Sequence, residues 1–403
     1  MKILIVSQYF WPEDFRINDL ALNLVEKGHE VSVITGNPNY PKGQFNVGYG
    51  FKHINETHKG IKIHRVPILP RGNNGFMLLL NYISFIFFGS LFTYFHKVKY
   101  DQVFAVNYSP ITAVIPAIVY CKKNKKKLSI WVQDLWPETV MASGNFKSTY
   151  IKNLIERLVI YIYRKSNLIF VANKGFEKSI KKKGVLENKI KYMPNWAEEL
   201  YESKSDYDFE SLNVSLPDGF TVMFAGNLGE SQGLEAVIEA AKLTKNNHKI
   251  KWVFVGDGRK SSSLKKLVND NDLHKTVKLL GRFPKESMPS FFAQADVMLV
   301  SLKDEYIFSL YVPGKVQAYM ASGKPILTML DGAGSNVVLD ADCGLTAPAG
   351  DYVKLANNVL KYSKFKADIK IKHSENSLKY YKENYAKDEI VENFINEINK
   401  IKT

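Results

Sequence analysis

Two series of short apolar runs, each alternating with amphipathic segments, most constrain what this 403-residue chain can fold into. The first series predicts strands at 2–9, 30–35, 62–66, 102–106, 128–132 and 168–172, and helices at 17–27, 111–121, 150–165 and 175–182. The second predicts strands at 221–225, 251–255, 277–280, 297–302 and 326–330, and helices at 234–243, 261–268, 289–293 and 313–322. Alternation of this kind is typical of parallel sheets covered by helices. The sequence therefore predicts an α/β protein with two doubly wound sheets.

The domain boundaries follow from where this alternation stops. A chain of this length exceeds what one hydrophobic core usually supports, and Pro194-Asn195-Trp196 ends the first series. The polar, acidic stretch that follows is typical of a linker. We predict domains at 1–196 and 219–380, a linker at 197–218, and a C-terminal helix at 381–403. Two such sheets that face each other would form a cleft at the carboxyl ends of their strands.

Positive charge is concentrated in the first half of the chain. Residues 1–200 contain 28 Lys and Arg against 14 Asp and Glu, whereas residues 201–403 contain 27 against 26. A basic half attracts anionic lipid or nucleic acid, or it is a lysine-rich solvated surface. No recognised nucleic-acid motif accompanies the charge, so nucleic acid is the weakest of these. Cys121 and Cys343 have no disulfide or metal spacing, and no cleavable signal peptide is visible, which together predict a cytoplasmic protein.

Residues 76–95 are an apolar run of 20 residues without a charged side chain. By length the run could span a bilayer. Three interpretations stay open: an interfacial helix that lies against lipid headgroups, a buried core helix, and a true span. Asn81, Ser84 and Thr93 within the run, and the basic residues that follow it, favour the interfacial helix.

The stretch VPGKVQAYMASGKP at 312–325 has the strongest local features of an anion-binding helix. Pro313 suits the start of a helix, and Gly323 suits its end. The helix N-terminus beside Gly314 and Lys315 offers backbone donors, a positive dipole end and an ammonium group, which together suit a diphosphate. The alternative is an ordinary crossover helix whose lysine is solvated.

Glycine-rich turns follow several strands of the second series. The run GNLGESQGLE begins at Gly226 and leads into a helix, so its backbone could approach a phosphate or could simply form a tight turn. The sequences Gly-Asp-Gly at 256–258 and Gly-Arg-Phe-Pro at 281–284 follow later strands. Since the carboxyl ends of parallel strands share one edge, we expect these turns to converge on the helix at 313.

Polar residues also follow strands of the first series. Asp134 comes directly after the strand at 128–132, and Glu138 is four residues farther on. Asp134 could accept a proton or bind a sugar hydroxyl, or it could cap the next helix. Glu13 and Arg16 follow the first strand within an aromatic stretch and are candidates for the acceptor side.

Taken together, these motifs resemble family 4 glycosyltransferases of the GT-B fold along essentially the whole chain. Within that family the chain is most similar to the branch that builds surface polysaccharides, and most of all to N-acetyl-L-fucosamine (L-fucosamine) transferases. The segments that carry the resemblance are KILIVSQYFWPEDFRI, KGHEVSVITGNPNYPKG, IWVQDLWPE, PNW, FAGNLGESQGLEAVIEAAK, FVGDG, LLGRFPKESMP, ADVMLVSL and VPGKVQAYMASGKPIL.

The resemblance implies two Rossmann-like domains that face each other across a cleft, with a C-terminal helix that crosses back to the first domain. The second domain would bind a UDP-sugar, and the first a lipid-linked acceptor. Metal and other cofactors are not expected, because helix dipoles and basic groups stabilise the leaving diphosphate. Donor binding is predicted for Gly226, Asn227, Gly229, Gln232, Arg282, Phe283, Glu305, Tyr311, Pro313, Gly314 and Lys315. Catalytic roles are predicted for Asp134, Glu138 and Lys315.

The chain departs from the family pattern at several positions. Asn227 and Gln232 stand where many members have Arg and Lys, and Gln133 stands where a histidine is frequent. The family's paired glutamates fall at Leu310 and Ala318, so the ribose contact must differ here. The pairs Asp206/Asp208 and Asp340/Asp342 superficially match a metal-binding DxD motif, and we interpret both as surface acids.

The sequence thus predicts a retaining, metal-independent transfer of a sugar from UDP to an undecaprenyl-diphosphate-linked saccharide, as in O-antigen or capsule synthesis. The site would be the cytoplasmic face of the plasma membrane, with the protein held peripherally by 76–95 and the basic half. One alternative is a nucleotide-sugar 2-epimerase, and another is a non-enzymatic sugar-binding or membrane-docking protein. The donor sugar, the linkage and the oligomeric state do not follow from the sequence.

Overall fold

The computed structural model describes residues 1–142, 148–202, 209–212 and 214–401. The chain forms two compact units, the first of which is Met1–Pro194 with Asp388–Thr403 and the second Asn195–Lys387. The C-terminal segment therefore belongs to the first unit, with the boundary at 387/388 rather than at the predicted 380/381.

The first unit contains an eight-stranded sheet with the order β3-β4-β2-β1-β5-β6-β7-β8. All neighbouring strands are parallel except the β3–β4 hairpin. Its strands are β1 Lys2–Val6, β2 Glu30–Gly36, β3 Ile54–His58, β4 Ile61–Val66, β5 Gln102–Asn107, β6 Leu128–Val132, β7 Leu168–Val171 and β8 Ile190–Tyr192. The two outermost strands, β3 and β8, are missing from the sequence prediction because neither forms an apolar run: β3 is mostly polar, and β8 has only three residues.

The helices of this unit follow the strands as the alternation predicts, apart from one at the C-terminus. They are α1 Arg16–Glu26, α2 Gly75–Phe95, α3 Ile115–Asn124, α4 Glu138–Ala142, α5 Thr149–Lys165 and α6 Glu177–Lys182, joined by α15 Lys387–Lys400. Phe394 of α15 packs against Phe104 of β5 and Phe170 of β7, with ring centroids 4.7 and 5.1 Å apart. These aromatic contacts attach the C-terminal helix to the first sheet.

Helix α2 buries several of its polar residues and exposes many of its apolar ones, which is the reverse of an ordinary surface helix. Asn81, Ser84, Gly89 and Thr93 are buried. Seven large apolar side chains are exposed instead, namely Phe76, Leu79, Ile83, Phe87, Leu91, Tyr94 and Phe95, whereas Phe85 is buried. Within the described chain it is the one helix long and apolar enough to cross a membrane, and 22% of its most apolar window is buried. Only five of its 21 residues are buried, so the structure does not agree with a buried core helix.

The buried face of α2 is fixed to the unit by hydrogen bonds. The Asn81 side chain accepts from Gln8 Nε2 at 2.7 Å and donates to the Leu69 carbonyl at 2.6 Å. Ser84 Oγ accepts from the Leu69 N–H at 2.9 Å. At Gly89, a Cβ would lie 2.8 Å from Pro116 Cγ, so α2 and α3 are in close contact there. The polar residues of the run therefore form hydrogen bonds in the interior of the unit.

The second unit contains a six-stranded parallel sheet with the order β11-β10-β9-β12-β13-β14. Its strands are β9 Phe220–Ala225, β10 Ile250–Val255, β11 Val277–Gly281, β12 Val297–Ser301, β13 Ile326–Met329 and β14 Gly344–Ala347. Its helices are α7 Leu234–Leu243, α8 Ser261–Asp270, α9 Met288–Gln294, α10 Tyr306–Ser309, α11 Gly314–Ala321, α12 Ala333–Asp340, α13 Tyr352–Ser363 and α14 Ala367–Asn384. Alternate residues of β9 and β10 belong to two different hydrophobic clusters, so helices cover both faces of the sheet.

The described part of the predicted linker packs on the second unit. Ala197 is buried in a core cluster, and the half-buried Tyr201, Phe209 and Leu212 pack against the same cluster. Tyr201 also stacks on Phe292 of α9, with centroids 5.4 Å apart. The acidic composition of the stretch concealed these aromatic and aliphatic contacts.

Candidate functional site

The glycine turns that follow β9, β10 and β11 are hydrogen-bonded to one another, as the sequence predicts for one edge of a parallel sheet. The N–H of Gly226 donates to the Val255 carbonyl at 2.8 Å. The N–H of Gly256 donates to the Gly281 carbonyl at 2.7 Å. The three turns therefore form one continuous surface at the carboxyl ends of the strands.

Glycine is required where two of these turns meet. Gly256 has a φ of +136°, and a Cβ there would lie 1.9 Å from the Gly226 carbonyl oxygen. At Gly258 a Cβ would lie 2.5 Å from both Asn227 Oδ1 and the Leu228 carbonyl oxygen. Such distances exclude any side chain. The close approach holds the Gly226 turn in a fixed position.

Lys315 lies on this surface, and its partners among the described residues are neutral. Its Nζ donates to Gln232 Oε1 at 2.6 Å and lies 4.4 Å from the centroid of the Phe224 ring. A Cβ on Gly226 would lie 2.8 Å from Lys315 Cε, so the lysine stem packs directly on that glycine. Burial lowers the pKa of Lys315 to about 8. The ammonium is thus held in place without a carboxylate to neutralise it.

Glu230, which lies two residues before Gln232, pairs with other lysines. Its carboxylate pairs with Lys260 at 2.8 Å and with Lys303 at 2.5 Å. These hydrogen bonds, first that of Lys260 and then that of Lys303, lower the pKa of Glu230 to about 2. Glu235 provides a second carboxylate to Lys260 at 2.8 Å. Glu230 is thereby engaged on the outer side of the turn.

Helix α11 is attached to the sheet by a buried tyrosine. The Tyr319 hydroxyl accepts from the Ala225 N–H at 3.1 Å and donates to the Ala225 carbonyl at 3.0 Å. Pro313 is the residue before the first helical residue, with Gly314 and Lys315 in the first turn. The first-turn N–H groups of a helix have no intrahelical partners. The tyrosine contact therefore sets the helix N-terminus beside Gly226.

The remaining donor-site candidates are placed less uniformly. Asn227 lies over Gly258, and a Cβ on Gly229 would lie 2.9 Å from Asn227 Nδ2. Arg282 is exposed, and its charge helps to hold the pKa of Asp257 low, after the hydrogen bonds from Ser261 and the Gly258 N–H. These residues border the same turns as Lys315.

Phe283, Glu305 and Tyr311 are the other predicted donor contacts. The half-buried Phe283 packs on a core cluster, with its ring centroid 4.8 Å from that of Phe291. This contact leaves less of its ring for a nucleotide base. Glu305 is exposed and precedes α10, and the half-buried Tyr311 lies two residues before Pro313.

The departures from the family pattern are accounted for by packing. Ala318 is buried in a core cluster, and Leu310 is half-buried at the end of α10.

Asp340 and Asp342 are exposed, and Asp342 pairs with Lys372 at 2.8 Å. Asp206 and Asp208 lie outside the described residues. Within the described chain no group of three or more His, Cys, Asp or Glu side chains could hold a metal ion.

In the first unit, Asp134 follows β6 at the carboxyl edge of the sheet. Its N–H donates to the Asn107 carbonyl at 3.3 Å, and its carbonyl accepts from Asn107 Nδ2 at 3.0 Å. Its charge contributes to raising the pKa of both Tyr82 and Tyr108, in each case behind burial. Since α4 begins only at Glu138, Asp134 does not cap that helix. This position agrees with a role at a sugar hydroxyl, which stays a prediction.

Glu138, the second predicted catalytic carboxylate, is engaged by a buried lysine. Its Oε1 accepts from Lys183 Nζ at 2.7 Å and from Ser179 Oγ at 2.5 Å. Burial would raise the pKa of Glu138, but the hydrogen bonds from Lys183 and Ser179 outweigh it and the pKa is lowered. A carboxylate kept ionised by a buried ammonium is poorly suited to exchange protons. These contacts favour a structural role.

Of the two acceptor-side candidates, Glu13 is buried and Arg16 is partly exposed. Glu13 Oε1 accepts from the N–H groups of Asn39 and Tyr40, both at 2.7 Å. Arg16 begins α1, and its Nη1 lies 3.5 Å from Asp19 Oδ2. Glu13 therefore positions a loop, whereas Arg16 is the candidate that a ligand could reach.

Sequence analysis missed several residues of the first unit: the charge of Asp134 acts on Tyr82 and Tyr108, and Arg71 lies over the Tyr40 ring. Arg71, Tyr40, Tyr82 and Tyr108 come from four separate segments. Tyr108 accepts from the Ile17 N–H at 3.1 Å and is influenced by the charge of Arg16. The sequence offers one indication of this group, because Arg71 lies shortly before the apolar run at 76–95.

Comparison with known proteins agrees with this geometry. The family described as "Glycosyl transferases group 1" matches residues 219–364, which include the glycine turns and all of α11. The matched residues all lie in the second unit. WbjE from Pseudomonas aeruginosa, named as a glycosyltransferase, is 30% identical over 236 residues, which cover 57% of this chain and 58% of WbjE. The match thus spans little more than half of that relative.

Longer matches extend the similarity over both units. WcaI from Escherichia coli K12, whose name places it in colanic acid biosynthesis as a glycosyl transferase, is 26% identical over 85% of this chain and 84% of its own. The crystal structure of HepE from Anabaena in complex with UDP-glucose superposes with a TM-score of 0.69 at 14% identity and covers all of both chains. The GT-B fold predicted from the sequence is confirmed.

Proposed function

We propose that the protein transfers a sugar from a UDP-sugar to an undecaprenyl-diphosphate-linked saccharide at the cytoplasmic face of the plasma membrane. The observation that carries the proposal is Lys315, whose ammonium lies beside Gly226 and has only neutral partners among the residues that the structure describes. A diphosphate placed there would receive this charge and the N–H groups of Gly314 and Lys315, the first two of α11. The complex of HepE with UDP-glucose supports a UDP-linked donor.

In the proposed reaction, Lys315 and the helix N-terminus stabilise the negative charge that develops on the leaving UDP. Asp134 orients or deprotonates the acceptor hydroxyl, and Arg16 borders the acceptor. Both groups are fixed by the backbone of their elements, which is what such positioning requires. Retention of the anomeric configuration and independence of metal ions belong to the same proposal.

The exposed face of α2 supports a lipid-linked acceptor. Seven large apolar side chains are exposed there. If insertion among lipid tails buried half of each, the gain would be about 1 kcal/mol per side chain, or on the order of 7 kcal/mol before ordering costs. The buried face is hydrogen-bonded to the unit, which favours interfacial insertion over a span. The basic first half would add attraction to anionic lipid.

A donor screen tests the activity. UDP release would be measured with a synthetic polyprenyl-diphosphate-linked sugar and a panel of UDP-sugars that includes UDP-N-acetyl-L-fucosamine, the donor favoured by the resemblance. We expect release that requires both substrates, proceeds in EDTA and yields a product with the donor's anomeric configuration. UDP release without an acceptor and formation of an epimer would support the 2-epimerase instead, and no turnover with any donor would sink the proposal.

Vesicle flotation tests the membrane contact. We expect binding to vesicles that contain phosphatidylglycerol, and its loss in Phe87→Asp, whose side chain is 61% exposed on α2. Ile371→Asp is the matched control, because Ile371 is 58% exposed on α14 of the second unit. Equal binding by both variants would exclude α2 as the membrane contact.

A further inference from the structure

The loop that precedes α2 is held rigidly by backbone contacts. The N–H of Arg71 donates to Asn39 Oδ1 at 2.9 Å, and the N–H of Gly72 donates to the Gly43 carbonyl at 2.8 Å. A Cβ on Gly43 would lie 2.5 Å from the Gly72 carbonyl oxygen, so the two loops are in direct contact. The position of Arg71 is therefore fixed before any ligand binds.

The guanidinium of Arg71 is held by two aromatic residues. Its Nη1 donates to the Tyr9 hydroxyl at 2.9 Å, and its Cζ lies 5.3 Å from the centroid of the Tyr40 ring. Tyr40 is itself positioned through its N–H, which donates to the buried carboxylate of Glu13 at 2.7 Å. Glu13 therefore acts on Arg71 indirectly, by fixing the loop that carries the Tyr40 ring.

No carboxylate among the described residues pairs with Arg71. The contrast within the same unit is Arg65, which is fully buried and pairs with Glu56 at 2.5 Å. Arg65 also donates to the carbonyls of Gly36, at 3.1 Å, and Trp11, at 2.5 Å. Arg71 is only half-buried and is bound by neutral groups alone. Most of its five N–H donors thus remain available to a planar or tetrahedral anion.

The surroundings of Arg71 indicate which anion. Tyr82 of α2 is hydrogen-bonded to Tyr9, whose hydroxyl also accepts from Arg71, and behind burial the charge of Asp134 contributes to raising the pKa of Tyr82. Five residues after Arg71, the exposed apolar face of α2 begins at Phe76. A cation therefore lies close in the chain to a surface suited to lipid tails, in a hydrogen-bonded group that the charge of the predicted base for the acceptor hydroxyl reaches. A lipid-linked sugar has its phosphate at the corresponding place, between the sugar and the apolar chain.

We infer that Arg71 binds the phosphate of the prenyl-diphosphate acceptor, with the sugar toward Asp134 and the prenyl chain along α2. This inference rests on the proposed function, because it assigns one contact within the acceptor site. It names a residue that neither charge patterning nor the sequence motifs single out.

The test is a calorimetric titration of the full chain with farnesyl diphosphate. Arg71→Gln should weaken binding about 10- to 100-fold, as expected for loss of a charge-assisted hydrogen bond. Arg71→Lys, which keeps the charge without the planar fork, should recover part of the loss. Arg157→Gln, an exposed arginine on α5 of the same unit, should bind as wild type does.

A second pair of titrations separates this site from the donor site. Lys315→Met should lose affinity for UDP and keep it for farnesyl diphosphate, and Arg71→Gln should show the opposite pattern. Unchanged farnesyl diphosphate binding in Arg71→Gln would overturn the inference. Equal, Arg71-dependent affinities for farnesyl diphosphate and inorganic diphosphate would overturn its lipid part. A wild-type protein that releases no UDP but shows these patterns would refute the proposed transfer reaction alone.

Discussion

Two lysines, one in each unit, show how the same side chain can be structural or functional. Lys183 is buried and lies 2.7 Å from Glu138 Oε1 and 2.6 Å from Ser179 Oγ, so its charge is neutralised inside the protein. Lys315 is half-buried, lies 2.6 Å from the amide oxygen of Gln232 and beside the Phe224 ring, and pairs with no carboxylate among the described residues. An ammonium that the protein leaves without a counter-charge is available to a ligand.

The arginines of the first unit repeat this contrast. Arg65 pairs with Glu56 and bridges two backbone carbonyls, whereas Arg71 is held by Tyr9 and Tyr40. Arg71 and Lys315 are each held by neutral groups at the carboxyl edge of a sheet, where doubly wound proteins bind ligands. The partner of a buried cation is therefore more informative about its role than its burial alone.

The largest effect is expected from replacing Lys183, the lysine that pairs with Glu138. Lys183→Met breaks a buried ion pair and leaves Glu138 without its main donor, so we expect a loss of about 2 kcal/mol in the free energy of unfolding. Urea unfolding measures this loss. Lys181→Met, which breaks the exposed pair with Glu187, is the matched control and should change stability little.

Activity separates this structural role from the catalytic role predicted for Glu138. The folded fraction of Lys183→Met should retain wild-type turnover. A stable Lys183→Met variant that has lost turnover would instead support a catalytic role for Glu138 and Lys183.

An intermediate effect is expected from a substitution that crowds Lys315. In Gly226→Ala the new Cβ would lie 2.8 Å from Lys315 Cε at a φ of +133°. Displacement of the ammonium should lower kcat/KM for the donor roughly tenfold, the equivalent of about 1.4 kcal/mol. Gly350→Ala is the control, since Gly350 also has a positive φ but has open space around its Cβ. Similar losses in both variants would attribute the effect to backbone strain alone.

The smallest effect concerns pH. The pKa of Lys315 is lowered to about 8 by burial, so the free protein carries the ammonium below that pH and loses it above. We expect kcat/KM for the donor to fall as pH rises through 8, because kcat/KM reports ionisations of the free enzyme. Lys315→Arg keeps its charge throughout and should abolish the fall. A fall that persists in this variant would place the titrating group elsewhere.

The position of the glycine turns beside Lys315 could be predicted from the sequence more fully than the surroundings of Arg71, for a physical reason. Gly226 and Lys315 lie in local strand–turn–helix patterns, and parallel strands bring such turns to one edge whatever the rest of the chain does. Phe283 is the exception among the residues that follow these strands, because its packing against Phe291 depends on how α9 lies on the sheet.

The surroundings of Arg71 depend instead on contacts between segments that are distant in the sequence. Arg71 is positioned by Asn39, and Tyr40 by Glu13, so no window of sequence contains the arrangement. The same limit applies to Glu138, whose partner Lys183 is 45 residues away. Helix α2 was ambiguous because its composition gives its hydrophobicity but not which face is buried.

Binding of UDP compared with that of uridine tests the central claim most directly. If Lys315 holds the donor diphosphate, wild-type protein should bind UDP far more tightly than uridine, and Lys315→Met should reduce that preference about 10- to 100-fold while leaving uridine binding unchanged. A Lys315→Met variant that keeps the full preference for UDP would contradict the account.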